Sequence, residues 1–108
     1  MMDPTILQNL VAELRRGTQL FAVLTQLHNG QYGYSLLQSL SDQGVAIDAG
    51  TLYPLLRRLE SQGLLVSEWD TTESRPRKYY RLSSDGEDVL RQLTREWHII
   101  VDEMNRLL

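Results

Sequence analysis

The stretch "GTLYPLLRRLESQGLL", residues 50–65, limits this chain more than any other. Leu52, Leu55, Leu56 and Leu59 recur at helical spacing and form one apolar stripe, which must be buried against other elements. Asp48 is a candidate N-cap and Gly63 a candidate stop, so the stretch reads as a third helix running into a strand. The opposite side carries Gly50, Tyr53, Pro54, Arg57 and Ser61, with Arg58 at its flank. That face is small, aromatic and basic. A proline in the second turn removes one backbone donor and frees the carbonyl of Gly50, a defect more easily borne near a helix start than in its middle. Gly50 and Pro54 together make the leading end slim and stiff, suited to close approach to another surface.

The flanking segments set the order of elements. Asp3 before Pro4 is a helix start, and Leu7, Leu10, Val11, Leu14, Thr18 and Phe21 then recur at helical spacing. One long helix is expected to about His28, with Gly17 inside it as a site for a kink or a close contact. "HNGQYG" breaks the chain. A short second helix buries Leu36, Leu37 and Leu40 and closes at Gly44, and "VAID" is an extended link. After the third helix, "LLVSEW" and "KYYRLS" alternate as strands on either side of the polar "DTTESRPR", a β-hairpin. Tyr79 and Tyr80 point to opposite faces, so one belongs to the core and the other to the surface. The final segment opens with Ser84 and Glu87 at capping-box spacing. Val89, Leu93, Trp97, Ile100, Met104 and Leu107 then follow at steps of four, four, three, four and three, a heptad-like seam.

Three helices followed by a hairpin is the winged helix-turn-helix plan, in which the third helix enters the DNA major groove and the hairpin lies along the backbone. The expected fold class is mostly α with a β-hairpin: a winged helix-turn-helix segment over residues 1–83 and a long C-terminal dimerisation helix over 84–108. The apolar stripe of that last helix, widened by Leu90, Val101 and Leu108, exceeds what 108 residues can cover, and the first helix is similarly apolar. Both point to a homodimer joined through Leu10, Leu14, Leu93, Trp97, Ile100, Met104 and Leu107. The alternative is a final helix folded back on its own domain.

Net charge is −3, which by itself disfavours a nucleic-acid partner, because phosphate binding is driven by basic residues. The distribution matters more than the sum. Residues 48–81 hold Arg57, Arg58, Arg75, Arg77, Lys78 and Arg81 against five acids, while the segments on either side are acidic. Arg57 and Arg58 have the fork geometry for a phosphate or a guanine edge, and Tyr53 suits a phosphate or a sugar. An exposed helix face also carries charge merely for solubility. The coincidence of the arginine pair with the basic "RPRKYYR" hairpin favours contact, with Arg75, Arg77 and Lys78 on a second stretch of backbone. The candidate DNA face is therefore Gly50, Thr51, Tyr53, Pro54, Arg57, Arg58, Ser61, Arg75, Arg77 and Lys78.

There is no cysteine, and His28 and His98 stand far apart, so neither a disulfide framework nor a zinc-type cluster is expected. No arrangement of Ser, His and carboxylate suggests catalysis, and no metal or cofactor is expected. The N-terminus has no apolar run of signal-peptide or membrane-span length, so a cytoplasmic location is the expectation.

"LRRGTQLFAVL", "YGYSLL", "GTLYPLLRRLESQGLL" and "RKYYRLSSDG" resemble, in order and spacing, the segments that define the PadR family of bacterial transcriptional regulators. The resemblance runs from about Leu14 to Leu108. It implies a homodimeric winged-helix repressor of an inverted-repeat operator, held together by its C-terminal helix with help from the first, of the short subgroup with one such helix. It also implies control by an effector such as a phenolic acid or a planar, often cationic, drug. Trp97, midway along the final helix, is the candidate effector residue, since two indoles meeting at a two-fold axis would flank a gap for a flat aromatic ligand. The competing role for Trp97 is plain packing in the dimer seam. Trp69 reads as wing support. The chain departs from the family where Glu73 and Ser74 replace frequent wing glycines, which stiffens the tip, and in its overall acidity. The functional alternative is a winged helix that binds another protein and not DNA.

Overall fold

The leucine stripe of residues 52–59 is buried as its spacing requires. In a computed structural model that describes residues 3–108, Leu52, Leu56 and Leu59 lie in the core with Leu55 half-buried beside them. They belong to helix α3 (Ala49–Ser61), which follows α1 (Pro4–Thr25), the two-residue strand β1 (Gln31–Tyr32) and α2 (Gly33–Asp42). Strands β2 (Leu65–Asp70) and β3 (Arg77–Leu82) form the hairpin, and α4 (Ser84–Leu107) ends the chain. This is the winged helix-turn-helix plan. Val23, Leu24 and Leu27 from the end of α1, Leu36 and Leu40 from α2, and Leu65, Tyr80, Leu82 and Leu90 complete the core. Each fully buried leucine contributes roughly 1.5–3 kcal/mol.

Local chemistry sets the helix ends. The Asp3 carboxylate accepts from Thr5 N at 2.8 Å with Pro4 in the first turn, and the Asp48 carboxylate accepts from Thr51 N at 2.7 Å. α3 runs unbroken through Pro54, which lies on its exposed side. Gly63 stops it with φ +80°, a conformation that favours glycine. Two boundaries differ from expectation. α1 ends at Thr25 rather than near His28, because Gln26 and Leu27 turn to hydrogen-bond back to Val23 and Leu24 and direct the chain into β1. The cap of α4 is Ser83, not Ser84: its hydroxyl accepts from Gly86 N at 3.0 Å and donates to the Gly63 carbonyl at 2.6 Å, tying the foot of the hairpin to α4.

The sheet has three strands, ordered β1-β3-β2 and antiparallel throughout. β1 pairs Gln31 with Tyr80 and Tyr32 with Tyr79, and so attaches the hairpin to the start of α2. Tyr80 is the buried member of the tyrosine pair at 5% exposure. Tyr79, on the other face of the central strand, is half-exposed and donates its hydroxyl to the Asn29 carbonyl at 2.9 Å.

The molecule measures 54 × 32 × 24 Å with a radius of gyration of 16.1 Å, against about 13 Å for a typical domain of this length. The terminal helices carry apolar side chains that lie open to water. Leu10, Leu14, Ile100, Met104 and Leu107 are exposed along them, Leu14 and Leu107 at 78% and 77%. Leu93 alone of the expected dimer residues packs against the domain core. No helix among the described residues is long and apolar enough to cross a membrane.

Candidate nucleic-acid interface

The amphipathic phase of α3 leaves Gly50, Thr51, Pro54, Arg57, Arg58 and Ser61 exposed. Tyr53 departs from the expectation of a free aromatic. It is half-buried, its ring lying so close to Gly33 that a Cβ there would come within 2.5 Å of it. Only glycine at the first position of α2 allows the two helices to meet this way.

The hairpin stands beside that face. A cleft of about 550 Å³ separates them, lined by Tyr53 of α3, by Tyr32, Gly33 and Tyr34 at the start of α2, and by Arg75, Arg77 and Lys78 of the wing. The structure therefore brings Arg75, Arg77 and Lys78 of the wing beside Tyr53 of α3. Arg57 is near enough to Lys78 to oppose its charge.

The wing bases differ sharply in freedom. Arg75 is exposed and, like Arg57 and Arg58, has no ion-pair partner among the described residues. Lys78 Nζ meets Glu60 Oε1 at 2.9 Å, which joins the wing to the last turn of α3. The Ser67 hydroxyl donates to the same carboxylate, and these two partners hold Glu60 below the usual carboxylate range while Glu60 raises Lys78. Arg77 is the most constrained. Its guanidinium stacks 4.5 Å from the Tyr32 ring centroid, donates to the Tyr34 hydroxyl at 2.7 Å, and pairs with Asp70 at 3.7 Å and Glu73 at 3.5 Å. Asp70 is the hub of this group. It accepts from the Tyr32 hydroxyl at 2.5 Å and from the amide and hydroxyl of Thr72, and these hydrogen bonds hold its carboxyl down at about 2.

Sequence reasoning missed Tyr32, Tyr34 and Asp70. No pattern within one segment signals them, because they meet only when β1 pairs with β3. Trp69 is 64% exposed and has the Lys78 ammonium 5.7 Å from its ring.

Trp97 stands apart from this face, 38% exposed on α4 with its ring 6.1 Å from that of Phe21 on α1. The two rings border a mainly apolar cleft of about 300 Å³ between the helices, with Leu14, Leu20, Leu93 and Ile100 on its walls and Glu96 at hand. His28, just beyond the end of α1, meets the Glu87 carboxylate of α4 at 2.9 Å. Among the described residues no cluster of three or more His, Cys, Asp or Glu could hold a metal ion.

Residues 20–92 match the model of the transcriptional regulator PadR-like family, well over half the chain. The chain belongs to the PadR family. Among its relatives, the transcriptional regulator Rv3488 of Mycobacterium tuberculosis is 45% identical over 62 residues, a match covering 57% of this chain and 58% of Rv3488. A PadR family transcriptional regulator of Eggerthella lenta superposes with a TM-score of 0.89 at 53% identity, over 95% of this chain and 92% of that one. A PadR-like transcription factor of Bacteroides fragilis gives 0.78 at 33%, over 93% and 99%. The family resemblance and the expected winged-helix fold are thereby established for this PadR chain.

Proposed function

We propose that this PadR protein is a dimeric, sequence-specific DNA-binding repressor. The observation that carries the reading is the basic α3 and wing, where Arg57, Arg58 and Arg75 are exposed and, among the described residues, without an ion-pair partner in an otherwise acidic chain. Arg57 and Arg58 are assigned to the major groove, with Thr51, Ser61 and the slim Gly50–Pro54 end beside them. Arg75, Arg77 and Lys78 are assigned to the backbone alongside. Tyr53 acts from a supporting position, where its ring fixes α3 against α2.

The exposed apolar rows of α1 and α4 support a homodimer, since a lone chain would present a large apolar patch to water. Two copies of α3 then address an inverted repeat whose half-sites lie about one helical turn apart. The cleft bordered by Trp97 and Phe21 supports an effector reading: a planar aromatic ligand stacks on Trp97 and releases the operator by favouring a dimer in which the two α3 helices are wrongly spaced.

Titration of purified protein against a labelled duplex tests the reading. Arg57→Ala or Arg58→Ala should weaken binding by roughly 1–3 kcal/mol and relax base preference, whereas Arg77→Ala should act evenly across sequences. If all three leave binding untouched, the surface serves a protein partner instead. Trp97→Ala should keep the dimer but lose ligand-dependent release; dissociation of that variant would make Trp97 a packing residue.

A further inference from the structure

The exposed face of α3 has two flanks, and the wing occupies only one. Along the other runs a groove of about 550 Å³ between α1 and α3, bordered by Arg16 and Gln19 of α1 and by Thr51, Pro54 and Arg58 of α3. Helical phase explains the arrangement. Arg16 and Gln19 are three apart on α1, and Thr51, Leu55 and Arg58 are spaced by four and three on α3, so each set shares one side of its helix. Two guanidiniums border this groove and no acid does. Among the described residues neither Arg16 nor Arg58 takes part in an ion pair, whereas the wing's Arg77 and Lys78 are both held by carboxylates. Available positive charge therefore lies on the α1 side of α3 as well as on the wing side.

The geometry points to Arg16 as a second backbone clamp: its guanidinium binds a phosphodiester of the DNA strand that passes α3 on the side away from the wing, next to the groove-facing Arg58. The inference rests on the DNA-binding reading above and extends it to a helix otherwise concerned with the core and the dimer. A phosphodiester suits this donor set. The guanidinium fork matches two phosphate oxygens, the Gln19 amide and the Thr51 hydroxyl supply neutral donors, and the Pro54 ring between them offers no competing group. Such a contact positions α3 without reading bases.

Arg16→Ala is compared with the unaltered protein on two fluorescent duplexes, one recovered by selection from a random library and one a shuffled sequence of equal length, across a series of salt concentrations. The expected result is a loss of roughly tenfold on both duplexes alike. The slope of log affinity against log salt should flatten by about 0.9 for each Arg16 that meets a phosphate. Arg16→Lys should recover part of the affinity, and Arg91→Ala, on α4, should change nothing. Binding by Arg16→Ala equal to that of the unaltered protein, while Arg57→Ala binds weakly, overturns the clamp and leaves the DNA reading intact. Failure of the unaltered protein to bind either duplex overturns both. Sedimentation of Arg16→Ala as a monomer would also overturn the clamp, assigning Arg16 to contact between subunits.

Discussion

The Tyr32 hydroxyl donates to the Asp70 carboxylate at 2.5 Å, across 38 residues of sequence, and with the Arg77–Tyr32 stack it fastens the wing to the first turn of α2. Here a hydrogen-bonded pair does the work that a longer β1 strand would do. Tyr32→Phe keeps the ring under Arg77 but removes the bond to Asp70. The expected outcome is faster amide hydrogen exchange over residues 70–77 and weaker DNA binding with unchanged base preference. Exchange identical to that of the unaltered protein would show that the wing is held by its strand pairing alone.

Acid should loosen the same group. Hydrogen bonds from Tyr32 and Thr72 hold Asp70 at about 2, against an ordinary value near 4. A carboxyl lowered by folding adds stability that is fully present above its unfolded value and is lost as the pH falls through its folded value. Glu60, lowered by Ser67 and Lys78, acts in the same direction. Melting temperature should therefore hold from neutrality to about pH 5 and fall most steeply between about 4 and 2. Asp70→Asn should flatten that fall. Parallel melting curves for the two proteins would show that Asp70 does not cause the fall.

α1 runs continuously through Gly17, and a Cβ there would meet nothing within 4 Å. Gly17→Ala should then stabilise the helix by roughly 0.5–1 kcal/mol, raising the melting temperature by about 3–6 °C. A lower melting temperature would mean that a partner subunit covers this position, and the change would then read out on dimerisation as well.

The parts of the molecule legible in the sequence are those that one segment can signal alone. Leu52, Leu56 and Leu59 marked the buried side of α3 because burial and helical period coincide, and Asp48 and Gly63 marked its ends. β1 was not legible, since two residues carry no alternation, and its only signature is pairing with Tyr79 and Tyr80. Asp70, Tyr32 and Tyr34 were lost with it. The basic character of Arg77 and Lys78 was legible, but their capture by Asp70, Glu73 and Glu60 was not, because those carboxylates come into range only in the folded chain.

The terminal helices should fail together. Leu14 and Leu107 are far more exposed than core leucines, and α4 adds Ile100 and Met104 to the same kind of surface. Leu14→Glu should convert a dimer into a monomer in sedimentation while the far-ultraviolet circular dichroism stays helical. Leu56→Ala, in the core, should instead cost about 2–5 kcal/mol of folding stability. A monomeric unaltered protein at micromolar concentration would refute the dimer.

Two copies of α3 are expected to read one symmetric site. Selection of random duplexes on the purified protein, followed by sequencing of the bound fraction and measurement of the mass of the complex, tests this most directly. The expected outcome is an inverted repeat with half-site centres about 10 base pairs apart, bound by two chains and lost with Arg57→Ala. Recovery of no preferred sequence, or of an asymmetric site bound by a single chain, would contradict it.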